Sequence, residues 1–158
     1  MKIVIAGAGV AGLAIGWRLL QRGAQVTVID RTQPGRGASW AAAGMIAPVG
    51  EMAGAVPAEI AFAQKSAALW PGFAAELEQV SQIGIAYRAD GALLAAADPA
   101  ALAARAARDP GLHLLTPAEA RAHVPLLTGP IAGALWAPHE ARVDNRALVR
   151  ALANAFQR

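Results

Sequence analysis

Cysteine is absent from this chain of 158 residues. Its absence excludes disulfides, thiolate catalysis and cysteine-bound metal, and it fits a reducing compartment. Histidine is scarce as well, since the chain has only His113, His123 and His139. They lie ten and sixteen residues apart, so no two of them share a turn of helix, and the sequence predicts no metal site.

A strong charge of one sign and long apolar runs are also lacking. The formal net charge is +3 and the basic residues are dispersed, which argues against nucleic acid as a partner. No uncharged apolar segment reaches the roughly 18 residues of a membrane span without a proline or a glycine cluster. With 56% hydrophobic residues, the chain is expected to be globular, soluble and cytoplasmic, with no membrane partner.

The first thirty residues carry the pattern on which the functional interpretation rests. Lys2 to Ala6 is a continuous apolar run, typical of a strand covered on both faces. Helical periodicity extends from about Val10 to Gln21, and a second strand is predicted over Gln25 to Ile29. The handedness rule for such connections places the two strands parallel and adjacent.

Gly7 and Gly9 lie between the first strand and the helix, and Gly12 lies in the first turn of the helix. In a dinucleotide-binding turn the first permits the tight turn, the second leaves room for the pyrophosphate and the third lets the helix pack closely. Asp30 ends the second strand, where a carboxylate accepts hydrogen bonds from the adenosine ribose. These residues predict a dinucleotide site, and they leave open whether the ligand is NAD or FAD.

The middle of the chain combines helical and extended patterns. The small-residue run from Ala38 to Ala47 fits either close backbone approach to a planar ligand or an alanine-rich, buried helical turn. Glu59 to Gln82 is predicted to be a helix that is kinked or divided at Trp70-Pro71. Ile85 to Arg88 and Ala92 to Ala96 are predicted to pair as a hairpin around Asp90-Gly91, beginning an antiparallel sheet.

The C-terminal part alternates helices with short strands. Helices are expected over Pro99 to Arg108, after a Thr116 capping box to about His123, and from the cap Asp144 to about Phe156. Extended segments are expected over Leu112 to Leu115 and Ile131 to Trp136. The predicted fold class is therefore α/β: a Rossmann-like β-α-β unit with an incomplete parallel sheet, plus part of an antiparallel-sheet α+β domain.

Two motifs resemble one family of flavoproteins. The glycine pattern through Gly16 and Gly23, followed by Val26 to Asp30, is similar to the extended motif of the D-amino-acid oxidase superfamily. The run Gly37 to Pro48 resembles its glycine oxidase branch, the flavoenzyme of thiamine biosynthesis. The similarity continues through Leu69-Trp70-Pro71 and Glu140 to Asp144, so it spans essentially the whole chain.

This resemblance implies an FAD-binding domain over residues 1–84 and 139–158, incomplete, and the start of a substrate domain over residues 85–138. It also implies cofactor-binding roles by position. These residues are Gly7, Gly9, Val10, Ala11 and Gly12 at the pyrophosphate, Asp30 and Arg31 at the adenosine end, Ala38 and Ser39 at the phosphates or ribityl chain, and Ala43, Gly44 and Met45 against the isoalloxazine ring.

The implied activity is FAD-dependent oxidation of a small primary or secondary amino acid, such as glycine, to the imine or 2-oxo acid, with O₂ reduced to H₂O₂. In this family the carboxylate of the substrate is held by an arginine with a tyrosine nearby, both from the C-terminal half. No catalytic residue is therefore assigned in this chain. The remaining arginines are interpreted as solvated, Tyr87 as a half-buried packing residue, and Trp40 as either a flavin neighbour or a packing residue.

The chain is about half as long as the members of this family. We interpret it as an N-terminal fragment, inactive alone, or as one half of a split enzyme whose second polypeptide supplies the C-terminal half. A homo-oligomer is a further expectation. The alternatives are another amine oxidase or dehydrogenase subunit, such as one related to sarcosine oxidase, and a non-catalytic nucleotide-binding remnant. Asn145 replaces a proline common in relatives, which we interpret as a detail of helix initiation.

Overall fold

The structure is a computed structural model, and it describes residues 1–157. The chain divides into two compact units. The first unit consists of Met1–Met45, Leu69–Tyr87 and Arg142–Arg158, and the second consists of Ile46–Ala68 and Arg88–Ala141.

The first unit begins with the predicted β-α-β arrangement. Strand β1 (Lys2–Ala6), helix α1 (Val10–Gln21) and strand β2 (Gln25–Ile29) follow one another. The strands pair in parallel, in a register that runs from Lys2 opposite Gln25 to Ala6 opposite Ile29. The helix ends before Gly23, whose φ of +77° is accessible to glycine at little cost. All three predicted elements are confirmed.

The prediction that the first strand is covered on both faces is wrong for this chain. Exposure alternates along both strands, and the side chains of Val4 and Ile29 are 68% and 53% exposed. Helix α1 covers the other face, where Gly12 approaches Ile5 and Gly16 approaches Val28. Because the described residues place a helix on one face only, the second face of this sheet is open.

The small-residue run forms a short helix and then a short strand. Helix α2 (Ala38–Ala41) is followed by the two-residue strand β3 (Met45–Ile46). A helical turn is therefore present in the first part of the run, but none of its residues is buried. Helix α3 (Pro57–Ser81) then continues through Pro71 as one element. It is therefore not divided at Trp70-Pro71.

The remaining elements alternate between strand and helix. They are β4 (Ala92–Ala96), α4 (Pro99–Arg108), β5 (His113–Leu115), α5 (Pro117–His123), β6 (Gly133–Ala137), β7 (Ala141–Arg142) and α6 (Asn145–Gln157). In the second unit β4, β6 and β5 form an antiparallel sheet with β6 in the centre. The two-residue strands β3 and β7 pair with each other. Leu102, Leu112 and Leu135 form the core of this second unit. The predicted mixed α/β class is confirmed.

The hairpin predicted around Asp90-Gly91 is wrong. Strand β4 pairs with β6, which lies about forty residues further along the chain, and not with residues 85–88. Ile85 is fully buried, Ala86 has a φ of +50°, and the ring of Tyr87 stacks on Trp70 at 6.2 Å between centroids. Burial and stacking in the first unit thus replace the local strand pairing that the turn residues suggest.

The caps predicted at Thr116 and Asp144 are present, and Asp98 provides a third that was not predicted. The Asp98 carboxylate accepts hydrogen bonds from two backbone N–H groups of α4, Thr116 and Glu119 form a capping box on α5, and Asp144 accepts from Arg146 N and Ala147 N of α6. These bonds satisfy donors that a helix start leaves unpaired. Within residues 1–157, none of the helices is both long and apolar enough to cross a membrane.

Candidate functional site: a nucleotide-binding turn

The glycine turn between β1 and α1 has the geometry that its sequence predicts. Gly7 has a φ of +107°, and its N–H donates to the Ile29 carbonyl at 2.7 Å, which joins the turn to the end of β2. A Cβ on Gly12 would lie 1.9 Å from the Gly7 carbonyl oxygen. Only glycine at position 12 therefore allows α1 to start this close to the turn.

The N-terminus of α1 is not capped by a side chain of its own N-cap residue. Gly9 is the N-cap residue and provides no side-chain hydrogen bond, and the first turn of the helix has no acidic residue. One donor is satisfied from outside, because Ser39 Oγ accepts from Val10 N at 3.0 Å. The same hydroxyl would lie 3.1 Å from a Cβ on Gly9. Ser39 thus lies directly beside the turn, at a helix end that favours negative charge.

Asp30 directly follows the end of β2 and contacts the glycine turn at Ala8. Its Oδ2 accepts from Ala8 N at 2.7 Å, and its Oδ1 accepts from Thr32 N at 3.0 Å. These hydrogen bonds, that from Ala8 above all, lower the pKa of Asp30 below its ordinary value. The carboxylate is therefore charged at neutral pH. Its Oδ1 also accepts from Thr32 Oγ1 at 3.2 Å, whereas Oδ2 retains a lone pair for a ligand hydroxyl.

A cavity of about 400 Å³ opens where the two parallel strands end. It is lined by Ala6, Gly7, Ile29, Asp30 and Arg31. The carboxyl ends of parallel strands are where open α/β sheets bind ligands. Glycine turn, acidic residue and cavity are thus assembled at one place by the β-α-β unit.

The segment Ala43 to Met45 is fixed by a different set of contacts. Gly44 has a φ of +78°, and a Cβ there would lie 2.1 Å from the Val143 carbonyl oxygen. Its own carbonyl accepts from Val143 N at 2.9 Å. Ala43 and Met45 are exposed, the latter by 48%. The side chains of Ala43 and Met45 are therefore exposed, while the backbone at Gly44 is fixed by its contacts with Val143.

Asn145 has a structural role that sequence reasoning missed. Its Nδ2 donates to the carbonyls of Ser39 at 2.7 Å and Trp40 at 3.1 Å, so it fixes the C-terminal half of α2. Because Ser39 also contacts the N-terminus of α1, Asn145 positions a residue of the candidate site. A proline at this position could not donate these hydrogen bonds. The presence of asparagine where relatives often have proline is the one signal in the sequence that could have revealed this role.

The structure thus brings together most of the predicted site residues. Gly7, Gly9, Val10, Ala11 and Gly12 form the turn, Asp30 and Arg31 line its cavity, and Ala38 and Ser39 belong to the helix beside it. In the part of the chain that is described, no group of three or more His, Asp or Glu side chains is arranged to hold a metal ion. The crowding at Gly12 and the start of α1, where Gly9 provides no side-chain cap, fit the diphosphate of a dinucleotide such as FAD.

Comparison with known proteins gives the family. The family model described as DAO, FAD dependent oxidoreductase, matches residues 2–158. A bifunctional ThiO/ThiG protein of Trichormus variabilis is 34% identical over 154 residues, which cover 95% of this chain and 23% of the relative. A thiamine biosynthesis oxidoreductase, ThiO, of Rhizobium etli is 34% identical over 158 residues, 99% of this chain and 46% of the relative.

A solved structure shows the same fold. The crystal structure of glycine oxidase from Geobacillus kaustophilus superposes with a TM-score of 0.90 at 33% sequence identity, over 98% of this chain and 43% of that one. The chain thus spans less than half the length of these relatives. The family match nevertheless extends over nearly every residue present. The chain therefore belongs to the DAO family of FAD-dependent oxidoreductases.

Proposed function

We propose that this chain supplies FAD-binding residues of an oxidase that acts on glycine or a similar small amino acid in thiamine biosynthesis. The observation that carries the proposal is the glycine turn, in which Gly12 lies against Gly7 while Ser39 contacts the start of α1. The match to an FAD-dependent family and the names of the ThiO and glycine oxidase relatives support the choice of cofactor and substrate.

Each part of the turn has a role in binding. The backbone N–H groups of Gly9, Ala11 and Gly12 would hold the diphosphate, whose charge the positive end of α1 would stabilise, while Val10 N donates to Ser39 Oγ. Asp30 accepts hydrogen bonds from ribose hydroxyls, and its lowered pKa keeps it an acceptor at neutral pH. Ser39, with Ala38, contacts the phosphates or ribityl chain. Ala43, Gly44 and Met45 lie against the isoalloxazine ring.

The reaction removes two electrons from the carbon–nitrogen unit of the substrate. The α-carbon gives up a hydride and the nitrogen a proton, which yields an imine that water converts to the 2-oxo acid. When bound, FAD carries the two electrons from the amine to O₂, which is reduced to H₂O₂. The residues of this chain bind and orient the cofactor, and none of them is proposed to contact the reacting atoms.

The domain assignment follows the same proposal. Residues 1–84 and 139–158 belong to the FAD-binding domain, and residues 85–138 begin the substrate domain. The antiparallel sheet of β4, β6 and β5 lies within the second range. A carboxylate-binding arginine is proposed outside the 158 residues, because the chain spans less than half of its relatives.

A further segment is proposed to cover the open face of the parallel sheet, either in the same polypeptide or in a second one. Val4 and Ile29 are large apolar residues that are more than half exposed there. Burying them against another layer would stabilise a two-stranded sheet that has little stability alone. A cytoplasmic location and self-association are part of the proposal, the former supported by the absence of cysteine.

Reconstitution tests this function. The chain is mixed with the part of the Geobacillus kaustophilus glycine oxidase that it does not match, and H₂O₂ is measured with FAD and glycine. Peroxide that requires both polypeptides and is lost in Gly12→Val supports the proposal. A higher rate with sarcosine than with glycine would assign the substrate to the secondary-amine class. Peroxide from this chain alone would contradict the placement of the catalytic residues.

A further inference from the structure

A second cavity in the first unit is lined by cationic side chains. It has a volume of about 400 Å³, and its lining residues are Gln33, Pro34, Arg36, Trp40, Arg146, Val149, Arg150 and Ala153. Three of the eight are arginines and none is acidic. It shares no lining residue with the cavity at the strand ends. This volume is within the range of pockets that bind small molecules, about 300–1,000 Å³.

Trp40 orients two of the arginines. The guanidinium carbon of Arg36 lies 3.8 Å from the centre of its ring, and that of Arg146 lies 4.5 Å from it. A guanidinium that contacts an aromatic ring through its face keeps its N–H groups at the edge available for hydrogen bonds. Arg146 Nε also contacts the Trp40 carbonyl oxygen, at 3.4 Å. Stacking thus reduces the freedom of both side chains before any anion binds.

The backbone around the cavity is held in place. Gly35 donates to the Ala8 carbonyl at 2.8 Å, and a Cβ on it would lie 2.0 Å from a methyl carbon of Val149. The loop that carries Arg36 is therefore packed directly on α6. Asn145 holds the Trp40 carbonyl from the same helix. The three arginines consequently extend from a fixed frame.

The charges of these arginines are not neutralised by carboxylates. Among the ion pairs of the described residues, Arg18 pairs with Glu76 and Arg105 with Asp109, whereas Arg36, Arg146 and Arg150 take part in none. The carboxylate closest in sequence, Asp144, caps α6 through backbone N–H groups. An anion bound in the cavity would meet positive charge from Arg36 and from Arg146 and Arg150 of α6.

We propose that this cavity is a binding site for a small molecule that carries a phosphate or diphosphate group. A phosphate presents several oxygens with a charge near −2, which matches several guanidinium groups better than a single carboxylate does. The organic part of the molecule would lie on the apolar floor formed by Val149 and Ala153. The site is separate from the turn proposed for FAD, and it stands whether or not that proposal holds.

Calorimetric titration with inorganic pyrophosphate tests this site. The variants are the pair Arg36→Gln with Arg150→Gln, and a control pair, Arg22→Gln with Arg108→Gln, that removes the same charge elsewhere. All four side chains are exposed, so folding should be retained, and circular dichroism verifies it. The affinity for pyrophosphate should fall at least ~10-fold in the first pair and less than about twofold in the control pair.

Pyrophosphate could also bind the glycine turn, and Gly9→Val separates the two sites. The substitution fills the space between the turn and Ser39, so binding that persists in Gly9→Val supports the arginine cavity. The proposal is overturned by any of three results: no saturable binding up to about 10 mM pyrophosphate, equal weakening by the control pair, or loss of binding in Gly9→Val.

Discussion

Gly12→Ala should disrupt the turn although alanine is a better helix former than glycine. Gly12 lies in the first turn of α1, where the added methyl group would improve helix propensity by about 1 kcal/mol. Its Cβ, however, would lie 1.9 Å from the Gly7 carbonyl oxygen, which belongs to the backbone and cannot rotate away. Relief requires the start of α1 to move by roughly 1 Å, at a cost of about 1–3 kcal/mol.

Two quantities should change together in this variant. The free energy of unfolding, measured by urea denaturation, should fall by roughly 1 kcal/mol, the cost of the shift less the gain in helix propensity. FAD affinity should fall at least ~10-fold, because the backbone N–H groups proposed to bind the diphosphate move with the helix. Gly72→Ala is the matched control: it lies inside α3 with no atom within 4 Å of its Cβ, so stability should rise slightly. Unchanged stability and FAD affinity in Gly12→Ala would refute the close approach that the structure shows.

Three further predictions concern the charge at the turn and the core of the second unit. Hydrogen bonding lowers the pKa of Asp30, so the ionised carboxylate stabilises the fold above its ordinary pKa of about 3.9, and this stabilisation is lost as the pH falls through the lowered pKa. The difference in thermal stability between wild type and Asp30→Asn should therefore be constant near neutral pH and shrink in acid. Glu140→Ala removes a carboxylate that is 2% exposed and accepts hydrogen bonds from two backbone N–H groups. Urea denaturation should show that the free energy of unfolding falls by about 2–4 kcal/mol. A fall of less than ~0.5 kcal/mol would contradict this role of Glu140. Leu135→Ala, at 2% exposure, should cost about 2–5 kcal/mol, whereas Leu126→Ala, at 90% exposure, should change stability by less than about 0.5 kcal/mol.

The parts of the fold that depend on neighbouring residues could be predicted from sequence. The glycine spacing, the helix from Val10 to Gln21 and the Thr116 cap are local patterns, and the structure has all of them. The carboxylate at Asp30 likewise follows from its position at the end of a strand. Each of these depends on contacts within about thirty residues along the chain.

The errors arise where a distant contact determines the outcome. Asp90-Gly91 is typical of a hairpin turn, but Gly91 donates to the Glu140 carbonyl and a Cβ there would lie 2.3 Å from the ring of Trp136. The glycine is thus required by a neighbour 45 positions away rather than by a local turn. Asn145 is similar, because its partners at positions 39 and 40 lie more than one hundred residues earlier. Local patterns contain no information about such partners.

Binding of FAD by the purified chain tests the central claim most directly. The fluorescence of FAD is titrated with wild type and with Gly9→Val, whose side chain would enter the space beside Ser39, and NAD is used as competitor. Gly111→Val is the control, since no atom lies within 4 Å of its Cβ. The account predicts saturable FAD binding that NAD does not displace. The affinity for FAD should fall at least ~10-fold in Gly9→Val and stay unchanged in Gly111→Val. Tighter binding of NAD than of FAD, or equal FAD affinity in wild type and Gly9→Val, would contradict it.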